Sequence, residues 1–220
     1  MPTDGQKTEP LVAIMTAQPV IPVLKIARVE DAVPLARALA RGGLPAVEIT
    51  LRTPAALDAI RAVAAEVPEA TVGAGTVLDA RQFEQAVAAG ARFVVSPGFT
   101  PALGGAAAAS PVPLLPGAIT PGEIMAAIEA GYRLLKFFPA EQAGGAAFLT
   151  ALASPFAGIR FCPTGGIGAD NAAAYLALDN VICVGGSWVA PDAAVAAGKW
   201  DEIAALARQA ALLRRGLRGG

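Results

Sequence analysis

Strand-like apolar runs recur along this chain about every 20 to 25 residues, separated by Ala- and Leu-rich stretches with the spacing of amphipathic helices. The runs lie at 21–26, 46–51, 71–76, 93–97, 112–117, 133–139, 160–165 and 181–186. Helical stretches fall at 31–40, 55–67, 80–89, 121–130 and 171–178, with a last one at 200–213. Regular alternation predicts parallel strands, because each helix returns the chain to the edge where the previous strand began. The first strand–helix turn carries no Gly-x-Gly-x-x-Gly, so a closed sheet is favoured over an open, doubly wound one. The expectation is an α/β fold: a single (β/α)8 TIM barrel over 10–220, opening with a short N-terminal helix behind a flexible segment at 1–9. A length of 220 residues suits one such domain. The low-complexity stretch 104–109 reads as a loop or a poorly specified helix.

Composition removes several function classes. The chain is 55% hydrophobic and 16% charged, which builds a core, and its net charge of −1 offers no positive field to nucleic acid or an anionic membrane. No apolar run reaches the ~18 residues that a membrane span needs. Residues 1–9 carry Asp4, Lys7 and Glu9 with no apolar signal core, so the expected location is cytoplasmic. Cys162 and Cys183 lack metal-ligand spacing and read as buried free thiols. Arg214, Arg215 and Arg218 read as a solvated basic terminus that complements the last helix's dipole. With no histidine in the chain, triads built on His and H-E-x-x-H zinc sites are excluded. Acid–base work falls to carboxylate, lysine, hydroxyl or water, and neither metal nor cofactor is expected.

In a barrel the site lies at the C-terminal ends of the strands. Alternation along 46–51 turns Val47, Ile49 and Leu51 toward the helices and Glu48, Thr50 and Arg52 inward. The unremarkable alternative is that Glu48 and Arg52 pair there as a structural layer. In 133–139, Leu135 and Phe137 share one face and Leu134, Lys136 and Phe138 the other. An ammonium withdrawn from water loses solvation, which favours the free amine, the form that attacks a carbonyl. Lys136 is therefore the candidate nucleophile, with Lys25 as its rival. The competing readings make Lys136 an ion-pair partner of Glu48 or Glu141, or a phosphate ligand. Two turns, Thr164-Gly165-Gly166-Ile167 and Gly185-Gly186-Ser187, let backbone N–H groups approach an anion, and Thr76 adds a hydroxyl at the same rim.

Five motifs then carry a specific resemblance: Glu48-Ile49-Thr50-Leu51-Arg52-Thr53, Gly73-Ala74-Gly75-Thr76-Val77, Ser96-Pro97-Gly98, Leu135-Lys136-Phe137-Phe138-Pro139-Ala140-Glu141 and Cys162-Pro163-Thr164-Gly165-Gly166. In this order, over about residues 17 to 192, the chain closely resembles the 2-keto-3-deoxy-6-phosphogluconate (KDPG) and 4-hydroxy-2-oxoglutarate (KHG) aldolase family. The resemblance implies a trimeric (β/α)8 barrel with Lys136 as the Schiff-base lysine and Glu48 as general acid/base. Arg52 and Thr76 would hold the pyruvate carboxylate, and Phe138 would wall the site. Gly165, Gly166 and Ser187 would hold the phosphate of the aldehyde half. Lys25 would steer charge or hold phosphate, and Pro97, Thr164 and Gly186 complete the substrate-binding set, Thr164 favouring the gluconate-type substrate. Pro45 and the Ala/Gly-rich fourth helix depart from typical members, away from the site. The reactions implied give pyruvate with glyceraldehyde 3-phosphate or with glyoxylate. Three alternatives stand beside this one: the galactonate epimer as substrate, a phosphate-binding barrel isomerase or synthase without covalent catalysis, and a binding barrel without turnover.

Overall fold

The computed structural model describes the backbone of residues 5–213; residues 1–4 of the expected flexible head, and Arg214, Arg215 and Arg218, lie outside that range. From Gly5 onward the chain is helical, so the second half of the segment expected at 1–9 belongs to α1, Gly5–Thr16. The strands that follow are β1 (Val20–Leu24), β2 (Ala46–Thr50), β3 (Thr71–Gly75), β4 (Val94–Val95), β5 (Leu114–Leu115), β6 (Leu134–Phe137), β7 (Arg160–Pro163) and β8 (Val184–Gly186). The helices between and after them are α2 (Ala32–Arg41), α3 (Ala56–Glu66), α4 (Ala80–Ala88), α5 (Pro101–Ala108), α6 (Pro121–Glu129), α7 (Gly145–Ala153), α8 (Ala172–Leu176), α9 (Asp192–Ala196) and α10 (Trp200–Ala211).

All strand pairings are parallel. Six strands form a curled sheet in the order β5-β4-β3-β2-β1-β8, and β6 pairs with β7. Single parallel bridges, Gly117 to Lys136 on one side and Phe161 to Val181 and Thr164 to Gly185 on the other, link the pair to both ends of the larger sheet. The fold is thus α/β on parallel strands, with the ladder divided between a six-stranded and a two-stranded sheet.

Alternation along the strands sorts the core into two clusters. Val47, Ile49, Leu135, Phe137 and Phe161 pack with helix residues such as Leu35, Leu39, Ile60 and Val63. Their neighbours on the opposite face, Ile21, Ala46, Phe93, Leu134 and Cys162, form a second cluster with Leu11 and Met15 of α1, which closes the N-terminal end. Buried Gln18 ties that end together: its amide donates to the carbonyls of Val20 (2.7 Å) and Ala46 (2.8 Å) and accepts from the Ala46 N–H (2.7 Å).

Helix starts follow local chemistry. Asp79 caps α4 through the Gln82 N–H, and a Thr120–Glu123 capping box opens α6. The stretch 104–109 is largely helical, since Thr100 caps α5 and Pro101 occupies its first turn. No helix of the described residues is long and apolar enough to cross a membrane.

Candidate active site

The β2 and β6 strands bring Glu48 and Lys136 together. Lys136 Nζ lies 3.2 Å from Glu48 Oε1, with the two residues 5% and 3% exposed. The other ion pairs of the described residues each have at least one partner well exposed. Withdrawing two charges from water costs several kcal/mol per ion, which an ion pair recovers only in part, so a pair buried this deeply is weak as a stability device and marks a site. Room for it depends on Gly75 of β3, where an added Cβ would fall 2.0 Å from Glu48 Oε1. Lys136 Nζ also stands 5.4 Å from the Phe138 ring centroid, and that ring is 38% exposed at the mouth.

Arg52 does not pair with Glu48. Its Nε donates to Thr50 Oγ1 at 3.0 Å, Thr50 donates in turn to the Leu24 carbonyl at 2.8 Å, and the guanidinium meets no carboxylate within 4 Å among the described residues. Thr50 thus anchors Arg52 and leaves its charge available to a ligand. Lys136 is likewise not the partner of Glu141, whose carboxylate accepts a hydrogen bond from Tyr175. Lys25 is exposed and shares a cavity of about 150 Å³ with Arg52 and Ser187, away from the buried pair. That position separates it from the nucleophile's place and puts it beside the expected anion ligands.

Thr76 has φ 56°, in the left-handed region where a β-branched residue is an outlier. Such strain is held in place by its surroundings and concentrates at functional sites. Thr164 is 6% exposed and its hydroxyl has no hydrogen-bond partner among the described residues; it rests against Gly185, where a Cβ would come within 2.3 Å of Oγ1. An unsatisfied buried hydroxyl costs about 1–3 kcal/mol, a cost that a ligand accepting or donating there would relieve. The N–H groups of Gly165 and Gly166 donate to no acceptor among the described residues. Pro97 lies at the far rim, its carbonyl packed on Gly117, and Gly186 is covered by Trp188. Sequence reasoning passed over Tyr175; its one signal is a hydroxyl-bearing aromatic in a short helix whose other residues are alanines and a leucine.

Parallel strands that carry a buried lysine–carboxylate pair, with two Gly-Gly turns beyond the strand ends, fit an α/β enzyme of the lysine-dependent carbon–carbon lyase class, and the relatives of the chain settle that class. The family model for KDPG and KHG aldolases matches residues 11–206, and the chain belongs to that family. It is 51% identical over 198 residues to the KHG/KDPG aldolase of Escherichia coli K12, covering 90% of this chain and 93% of that one. A crystal structure of KDPG aldolase from Legionella pneumophila, holding pyruvate as a covalent carbinolamine intermediate, superposes with TM-score 0.89 at 46% identity, over 91% of this chain and 97% of that one. The aldolase of Zymomonas mobilis ZM4 with 3-phosphoglycerate superposes with TM-score 0.87 at 47% identity, over 93% and 96%.

Proposed function

We propose that the chain is a Schiff-base aldolase that cleaves 2-keto-3-deoxy-6-phosphogluconate to pyruvate and glyceraldehyde 3-phosphate, and 4-hydroxy-2-oxoglutarate to pyruvate and glyoxylate. The observation that carries this reading is the 3.2 Å contact between buried Lys136 and Glu48. Passing one proton from ammonium to carboxylate removes both buried charges and leaves a free amine beside a carboxylic acid. The amine of Lys136 attacks C2 of the keto acid, and Glu48 protonates the leaving hydroxyl of the carbinolamine, so that water departs and an iminium forms. Glu48, now a carboxylate, takes the proton of the C4 hydroxyl. The C3–C4 bonding electrons flow into the iminium, the aldehyde leaves, and the enamine takes a proton at C3 from Glu48. Water then adds to the iminium, the Glu48 carboxylate takes the proton so released, and pyruvate leaves with the free amine and the carboxylic acid restored.

Arg52, with its charge unspent, and Thr76 hold the keto-acid carboxylate in this scheme. Thr164 meets the substrate's hydroxylated carbons, Phe138 and Pro97 wall the mouth, and Gly165, Gly166, Gly186 and Ser187 receive the phosphate, with Lys25 steering it. The two sheets act as one closed (β/α)8 barrel and a single domain, a reading supported by the bridges on both sides of β6 and β7. Exposed Leu78 and Met125 support a homotrimer that covers apolar surface, and the setting we assign to it is cytoplasmic.

Incubation with pyruvate and borohydride, followed by peptide mass mapping, tests the mechanism. A reduced adduct on Lys136 is the expected result; active protein without an adduct, or with one on Lys25, would overturn it.

A further inference from the structure

The Gly165-Gly166 turn has positive φ at both residues, 101° and 74°, a conformation with no side chain of its own to hold it. Its support comes from the segment after β6. The Ala140 N–H donates to the Thr164 carbonyl at 2.8 Å and the Glu141 N–H to the Gly165 carbonyl at 3.1 Å. The stem of Glu141 lies against Gly166 so closely that a Cβ there would come within 2.6 Å of Glu141 Cγ. On the far side, Asn171 donates to the Gly166 carbonyl at 3.0 Å. Glu141 itself is exposed along much of its length, and an exposed glutamate stem normally samples several rotamers. What fixes this one is Tyr175 of α8, which is 1% exposed and donates its hydroxyl to Glu141 Oε1. Burial and then the carboxylate both push the Tyr175 phenol upward, so it remains a donor throughout the working pH range.

We propose that Tyr175 and Glu141 are positioning residues for the anion-binding turn: the phenol holds the carboxylate, and the carboxylate's stem and N–H hold Gly165 and Gly166 with their free N–H groups facing the mouth. The tether also directs the Glu141 charge toward α8 and away from an incoming phosphate. The inference rests on the reading of this turn as the phosphate site. It makes the pair a determinant of substrate choice, because one substrate carries a phosphate and the other does not.

The test is steady-state kinetics of wild type, Tyr175→Phe, Glu141→Ala and Glu141→Gln with both substrates. For Tyr175→Phe and Glu141→Ala, KM for the six-carbon phosphate substrate rises about 5- to 10-fold while kcat stays within about 2-fold. Both constants for 4-hydroxy-2-oxoglutarate stay within about 2-fold. Glu141→Gln keeps the stem and an acceptor for the phenol, so it retains a wild-type KM. Equal losses on both substrates, or unchanged KM in both disrupting variants, would overturn the proposal while leaving the aldolase reading intact. Should Tyr175→Phe fail to fold, the Ala and Gln variants at Glu141 decide the question by the same split. A wild type with no preference for the phosphorylated substrate would remove the phosphate reading of the turn, and the proposal with it.

Discussion

The two ends of the strands are built from the same inward-facing rungs and differ in everything those rungs carry. In β2 the step from Ala46 to Glu48, in β6 from Leu134 to Lys136, and from Cys162 of β7 to Thr164 just beyond it moves two residues along one face, from a dry floor to a polar mouth. The floor is closed by Leu11 and Met15 of α1, and its two thiols lie 3.5 Å apart among aliphatic side chains. The mouth holds a buried ion pair, a hydroxyl without a partner among the described residues and a threonine at φ 56°. Stability therefore resides in one layer, and the cost of function is concentrated in the next, about 7 Å further along the same strands.

The sharpest way to break this division is at Lys136. Replacing it with Ala is expected to lower kcat/KM at least about 10⁴-fold and abolish borohydride trapping of pyruvate, with the circular dichroism spectrum unchanged. Residual turnover near wild type would make the mouth another structural layer. Glu48→Gln comes next: it keeps an acceptor for Lys136 but cannot move protons, so kcat should fall about 10²- to 10³-fold with the fold retained. A loss confined to KM would reassign Glu48 to binding. On the floor the signs reverse. Met15→Ala removes a fully buried side chain that touches Cys183 Sγ through its sulfur at 3.7 Å, and should cost about 2–4 kcal/mol of stability by urea unfolding. Its kcat/KM should stay within about 2-fold, and a parallel loss of activity would show the two layers to be coupled.

The mouth was more legible in the sequence than the floor. Glu48 and Lys136 stood out because a charge in mid-strand between apolar residues contradicts the local pattern, and alternation alone assigned their face. The strands most overestimated were those at 93–97 and 112–117, each of which pairs over two residues, Val94–Val95 and Leu114–Leu115. Pro97, Pro113 and Pro116 flank them and have no N–H to extend a ladder. α7, whose residues are apolar or small almost all round, offers no stripe to reveal a face. Tyr175 was invisible as a site residue because its partner lies 34 residues away, a distance over which no local periodicity speaks. The bland pairing of Glu48 with Arg52 was excluded by the Thr50 hydroxyl that holds Arg52 back and by Lys136, which meets Glu48 instead, contacts no spacing rule supplies.

The smallest expected effect lies at the rim, where the loop after β5 passes Lys136 before entering α6. The Ala118 N–H donates to the Lys136 carbonyl at 2.9 Å, and one residue on, Glu123 of α6 accepts from the N–H groups of Ile119 and Thr120, each at 2.8 Å. The capping box thus trims a loop attached to β6, the strand of Lys136, but from an exposed position. Glu123→Ala should cost about 0.5–1 kcal/mol of stability and leave kcat within about 2-fold. The pH dependence has a definite sign. The Thr120 N–H first, and the Ile119 N–H second, hold the Glu123 carboxyl below its ordinary value of 4.5, so its contribution is fully present above that pH and is lost as pH falls through the lower folded value. Urea unfolding of wild type and Glu123→Gln, carried from neutral pH down to about pH 3, should show a gap that closes only at the acid end. A gap that stayed constant with pH would assign the stabilisation to the neutral hydrogen bonds of the cap, and a matching change in kcat would extend the mouth's influence out to the rim.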